Sequence, residues 1–172
     1  MKQTRRGILA GTLAAGVLFA PVGASAALAA RSAPSAVNAC LVGRWSETRE
    51  RDAFLFNGAP VILTGGAGRT LRFSPHGTEI TSYANAQPLT ATLADQQLEL
   101  DPAGTVAYRM RTAGNRLTFE SADYSRSIMS GSYGGRPITL ASQTLPGPER
   151  FSCSATRLTE RGADYRASFK RG

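Results

Sequence analysis

Apolar residues recur at every second position over many short segments of this chain, and turn-forming residues separate the segments. Leu98 and Leu100 alternate with Glu99 and Asp101, while Val106, Tyr108 and Met110 alternate with Ala107, Arg109 and Arg111. Leu117 and Phe119 alternate with Arg116, Thr118 and Glu120, and Leu71 and Phe73 flank Arg72. Ala163, Tyr165, Ala167 and Phe169 share one parity, with Asp164, Arg166, Ser168 and Lys170 on the other. A period of two sends alternate side chains to opposite faces of an extended chain, the pattern of antiparallel strands with one face buried. Gly65-Gly66-Ala67-Gly68, Ser74-Pro75-His76-Gly77, Asp101-Pro102-Ala103-Gly104 and Ala113-Gly114-Asn115 supply the turns, Pro fixing an early φ and Gly allowing a positive one. We read the first of them as a hairpin turn. Past the first thirty residues no stretch of about 11 residues shows a helical period. The chain is therefore expected to be an all-β sandwich or barrel of about eight to ten strands. A last strand over 163–170 would close against a first strand near 41–50. Residues 121–135, rich in Ser, Gly and Tyr, read as a long loop or an irregular edge strand, and 145–148 as a loop.

The first thirty residues follow a different rule. Lys2, Arg5 and Arg6 precede an uncharged run rich in Ala, Leu, Val and Gly over 7–22, and Ala24-Ser25-Ala26 then offers small residues for cleavage. This three-part pattern predicts a secretory signal peptide over 1–26. The apolar run falls short of the ~20 residues a spanning helix needs, so no stable membrane anchor is expected. Thr4-Arg5-Arg6-Gly7-Ile8-Leu9 resembles a twin-arginine signal, but paired arginines also occur in ordinary signals, and the general secretory route is the preferred reading. Residues 27–39 are rich in Ala, Ser and Pro with one Arg and read as a flexible leader, leaving 40–172 as the folded domain.

Composition matters once the signal is set aside. The +8 formal charge of the whole chain falls to 17 basic residues against 12 acidic ones, and all but Lys170 of those basic residues are Arg. Arg72, Arg109, Arg111, Arg116, Arg166 and Lys170 occupy the solvent parity, where a stripe of them would suit a polyanion. Single-strand nucleic-acid binding needs aromatics on the same face. Phe73, Tyr108, Phe119, Tyr165 and Phe169 take the opposite parity, so a solvated exterior is the preferred reading and no nucleic-acid partner is expected. Cys40 and Cys153 are the only cysteines, and an even pair in an exported chain reads as a disulfide. Closing a loop of roughly 110 residues is worth roughly 4–5 kcal/mol in the chain-entropy account.

Cys40-Leu41-Val42-Gly43-Arg44-Trp45 opens the domain, Leu71-Arg72-Phe73-Ser74-Pro75-His76-Gly77-Thr78 follows, and Cys153 precedes Leu158-Thr159 near the end. With Gly-x-Trp on the first strand, the set resembles the lipocalins and wider calycins, and in particular a type of secreted bacterial lipocalin-like barrel. The resemblance covers roughly 40–172. It implies a single antiparallel up-and-down barrel, closed here by the disulfide. It also implies that Gly43 and Trp45 play the motif's structural part, with Trp45 plugging one end beneath an Arg of the last strand. Arg166 and Arg171 compete for that place, and Arg171 shares the parity of Phe169.

Most catalytic chemistries find no support. The single imidazole, His76, sits in a turn sequence, and Gly131-Ser132-Tyr133-Gly134 has Ser130 where a nucleophile elbow needs Gly. Gly65–Gly68 runs into Arg69-Thr70 and lacks the Lys of a phosphate loop. One His and two Cys do not make a zinc site, and no metal or other cofactor is expected. The twelve carboxylates read as mostly outward-facing, and nothing in the sequence selects a pair for hydrolysis. The expected function is therefore non-enzymatic: a secreted monomer binding a small apolar or amphipathic molecule. Tyr108, Met110, Phe119, Tyr165 and Phe169 are the lumen candidates, unless these side chains simply fill the barrel. The alternative is an extracellular inhibitor or interaction module of the calycin type, using 121–135 or 145–149 as a protruding loop. An unassigned carboxylate hydrolase is the third reading.

Overall fold

A computed structural model describes residues 37–140, 143 and 145–172; the signal peptide and most of the leader read from the sequence lie outside them. Eleven strands form in chain order. They are β1 (Gly43–Phe56), β2 (Ala59–Gly65), β3 (Thr70–Phe73), β4 (Thr78–Ser82), β5 (Leu89–Leu93) and β6 (Gln96–Ala113), then β7 (Arg116–Tyr133), β8 (Arg136–Pro137), β9 (Glu149–Cys153), β10 (Arg157–Arg161) and β11 (Tyr165–Arg171). All pairings are antiparallel. Eight strands close a ring in the order β1-β3-β4-β6-β7-β9-β10-β11, each paired with the next along the chain and β11 returning to β1. The closing register sets Trp45 opposite Arg171 and Asp52 opposite Tyr165.

Three long strands carry a second tier. β1, β6 and β7 outrun the ring, and β2, β5 and β8 pair with their extensions. β3 and β2 therefore succeed one another along the same edge of β1, as β4 and β5 do along β6. Asn57-Gly58, with φ of 51° and 80°, joins β1 to β2. Two successive positive φ values make the tight turn whose twist suits a two-residue hairpin. The Gly65–Gly68 run is not the hairpin turn expected of it. It is the jog from β2 down to β3, since β2 pairs with β1 and β5 instead. Of the two readings of 121–135, strand rather than loop is what forms: 121–133 are the second half of β7, paired along β6 through two register shifts.

The ring's interior core contains Leu41, Trp45, Leu71, Phe73, Val106, Met110, Leu117, Phe151, Leu158 and Phe169, and Val37 packs with them. Val37 thus extends the folded domain back into the segment read as leader. A smaller cluster of Val61, Leu63, Leu89 and Leu98 underlies the second tier. The disulfide Cys40–Cys153, Cα atoms 6.0 Å apart, ties the chain just before β1 to the end of β9. Among the described residues no helix is long and apolar enough to cross a membrane.

Candidate functional site

One end of the ring is sealed. Trp45 is fully buried and its indole Nε1 donates to the Leu41 carbonyl at 2.8 Å. The Arg171 guanidinium lies 4.2 Å from the Trp45 ring centroid. It also donates to the carbonyls of Ala155, Val42 and Cys40 at 2.8, 3.1 and 2.9 Å. Arg171, not Arg166, therefore occupies the place above the tryptophan, because its inward parity on β11 puts it directly across from Trp45. Gly43 has φ of 126°, and a Cβ there would come within 2.8 Å of Arg171 Nη1, so glycine is what lets the guanidinium approach.

The other end holds a cavity of about 410 Å³. Its walls include Leu71, Tyr108, Phe119 and Tyr165, and residues 146–148 and 162–164 form its mouth. Of the five lumen candidates, Tyr108, Phe119 and Tyr165 line this space. Met110 and Phe169 sit in the packed core instead. Tyr108 stacks at an angle on Phe119, centroids 5.0 Å apart.

The cavity is not the apolar, aromatic interior that the alternation implied. Glu47, Glu50, Glu79, Glu149 and Glu160 are all buried, and four of them, with Asp52, line the space. The expectation that most carboxylates face outward fails for these six. Glu47 shares its parity with Trp45, Glu149 with Phe151 and Glu160 with Leu158, so each follows an apolar neighbour inward. On β4 the pattern is inverted, with Glu79 and Thr81 buried and Ile80 exposed. In β1 a register shift between Glu47 and Arg49 inserts an extra residue, so Glu50 and Asp52 face inward as well.

Arg69 is the cation set among them, placed there by the glycine jog. Its Nη2 donates to Glu47 Oε1 at 2.9 Å and to the Tyr165 hydroxyl at 2.6 Å, and lies 3.3 Å from Glu50 Oε2. Its Nε is also 2.9 Å from Glu47 Oε2, an ionic contact whose geometry is not that of a hydrogen bond. One guanidinium does not neutralise six carboxyls, and the electrostatics follow. Burial, offset in part by Arg69, raises the Glu47 pKa from 4.5 to about 8. Burial and then the field of Glu79 raise Glu149 to about 8. Burial raises Glu79 to about 7 against a hydrogen bond from Thr81, and raises Asp52 to about 6 with help from Glu50. Burial, Glu79 and Glu149 lift Glu160 well above the carboxylate range. Near neutral pH the cluster therefore holds protons that free carboxylates would have released. One oxygen each of Glu79, Glu149 and Glu160 is buried without a hydrogen-bond partner.

The remaining sequence candidates form no site. His76 is an exposed turn residue whose backbone N–H reaches Ser74 Oγ at 3.3 Å, and Ser132 lies within β7. Among the described residues no group of three or more His, Cys, Asp or Glu is arranged to hold a metal ion. Taken together, fold and site define an eight-stranded antiparallel ring sealed at one end, with an acidic cavity at the other. Comparison of the chain with protein-family models, curated proteins and solved structures finds no match.

Proposed function

We propose that this chain is an exported, lipocalin-like binding protein whose lumen takes a small amphipathic molecule bearing a protonated amine. The observation that carries the reading is the set of buried carboxylate oxygens without partners on Glu79, Glu149 and Glu160, bordering a cavity of about 410 Å³. A buried carboxylate without a donor is costly, and an ammonium group supplies both the charge and the N–H donors. Tyr108, Phe119 and Leu71 give the apolar part of such a ligand its surface. Trp45 and Arg171 close the far end, and the disulfide suits an oxidising compartment. The inhibitor alternative loses its first candidate loop, since 121–133 is paired strand.

Three dansyl or naphthalene probes separate the charge from the cavity: dansylcadaverine (cationic), dansylamide (neutral) and anilinonaphthalene sulfonate (anionic). One-site saturable binding with the cationic probe at least tenfold tighter than the neutral one is expected. Glu149→Gln and Glu160→Gln should each erase most of that preference. Affinity for the cation should rise between pH 5 and pH 9, as Asp52 near 6, Glu79 near 7 and then Glu149 and Glu47 near 8 give up protons. Absence of saturable binding by any probe would overturn the lumen reading. Tightest binding by the sulfonate would overturn the charge assignment alone.

A further inference from the structure

Charge is sorted across the wall of the ring. Of the twelve acidic residues in the chain, six (Glu47, Glu50, Asp52, Glu79, Glu149 and Glu160) face the interior of the ring, so the exterior is far more basic than the net charge suggests. Of the six exterior acids, Glu99, Asp101, Glu120 and Asp123 lie on β6 and β7, where Glu120 pairs with Arg111 at 3.0 Å, and Asp95 lies in the turn before β6.

The strands opposite carry arginine in register. Arg116 on β7 lies directly across from Arg150 on β9, Arg150 across from Arg161 on β10, Arg161 from Arg166 on β11, and Arg166 from Arg51 on β1. All five are exposed, and among the described residues no ion pair engages any of them. On the exterior only Asp164, in the turn before β11, borders the row. A row of hydroxyls, Ser152, Thr159 and Ser168, runs beside it and ends at Arg49. Beyond that, Arg157 faces Lys170. Like charges directly opposite on neighbouring strands repel, so five in line work against the ring's closure until an anion lies over them.

We infer that this face binds an acidic polysaccharide. At ~4.8 Å between strands the five positions span roughly 19 Å along the ring, too long for one small anion and suited to a chain with a charge on each sugar. Guanidinium groups match carboxylate or sulfate geometry in pairs. The hydroxyl row beside them can exchange hydrogen bonds with sugar hydroxyls. No strand residue of this face is aromatic, so nucleic-acid bases have nothing to stack on. The face is separate from the cavity and does not depend on the lumen reading.

The test uses the folded, disulfide-bonded protein on immobilised polygalacturonate, with neutral dextran and single-stranded poly-dT as comparisons. Retention on polygalacturonate and none on dextran is expected, with affinity falling roughly tenfold or more between ~50 and ~200 mM salt. The triple variant Arg150→Ser, Arg161→Ser, Arg166→Ser should lose at least tenfold in affinity. It should melt no lower than wild type, since it removes repulsion. The control triple Arg109→Ser, Arg126→Ser, Arg136→Ser, with the same charge change, should stay within twofold of wild type. Equal losses in the two triples would mean a general charge effect and overturn the assignment to this face. Tighter binding of poly-dT, or no retention on polygalacturonate at low salt, would overturn the polysaccharide.

Discussion

Glu149→Gln isolates the charge that the cavity resists. Glu149 is buried on β9, one of its oxygens has no hydrogen-bond partner, and burial followed by repulsion from Glu79 raises its pKa from 4.5 to about 8. A folded pKa above the unfolded one means that the folded protein binds more protons between the two values. The carboxyl's contribution to stability is then complete below pH 4.5 and is lost as pH climbs to about 8. At about 1.4 kcal/mol per pH unit the full window is worth roughly 5 kcal/mol. Water entering by the mouth and movement of the neighbouring carboxyls relieve part of this, leaving about 2 kcal/mol as the expected loss. Gln keeps the shape of the protonated acid and never ionises, so the variant escapes it. Thermal melts can be followed by the emission of Trp45, the single tryptophan and fully buried. At pH 5 variant and wild type should melt within about 2 °C of each other. At pH 8.5 the variant should melt roughly 4–8 °C higher, at ~2–4 °C per kcal/mol for a domain of this size. An offset that is the same at both pH values would refute the argument, as would a wild type no less stable at pH 8.5 than at pH 5.

Arg69→Met should destabilise the fold by roughly 3–5 kcal/mol near pH 8, because Glu47 and Glu50 lose the cation between them. The loss should shrink at pH 4.5, where Glu47, its pKa raised to about 8 by burial, is protonated, and equal losses in melts at the two pH values would contradict the ion-pair account. Gly68→Ala should lower stability by about 2 kcal/mol or more in urea titrations, since φ is 94° there and a Cβ would strike the Asn85 carbonyl. The same change should weaken cationic probe binding, because it shifts the jog that carries Arg69. Reduction of Cys40–Cys153 should lower the melting temperature by 10 °C or more if the ring loses roughly 4–5 kcal/mol of loop-closure stabilisation. An unchanged melt would mean that the bridge closes nothing.

Local sequence rules reach a long way in this chain. Period-two alternation marks β6, the start of β7 and β11, and the inward parity of Tyr108, Met110, Phe119 and Phe169 follows from it. The pairing of two cysteines and the all-β class need no more than composition, turns and compartment. Glu149 beside Phe151 and Glu160 beside Leu158 also announce their direction by parity. The habit of placing every charge outside hides that signal. A buried carboxyl is tolerable only when other groups and a cavity are present, and those arrive from distant strands.

The sequence by itself settles which residues share a face within one strand. Tertiary structure alone decides which faces meet. The extra residue inserted in β1 reverses the parity after Glu47 and turns Glu50 and Asp52 inward, a change that no alternation rule sees. The glycine jog that delivers Arg69 to the acids exists because β2 and β3 share one edge of β1. Parity along the chain puts Arg116 and Arg166 outside, but which arginines line up, and that Arg51, Arg150 and Arg161 join them, follows only from the register of five strands. Register is set by long-range pairing and by bulges, and a shift of one residue would send every side chain of a strand to the other face. That is why the acidic cavity and the basic wall appear only when the ring has closed.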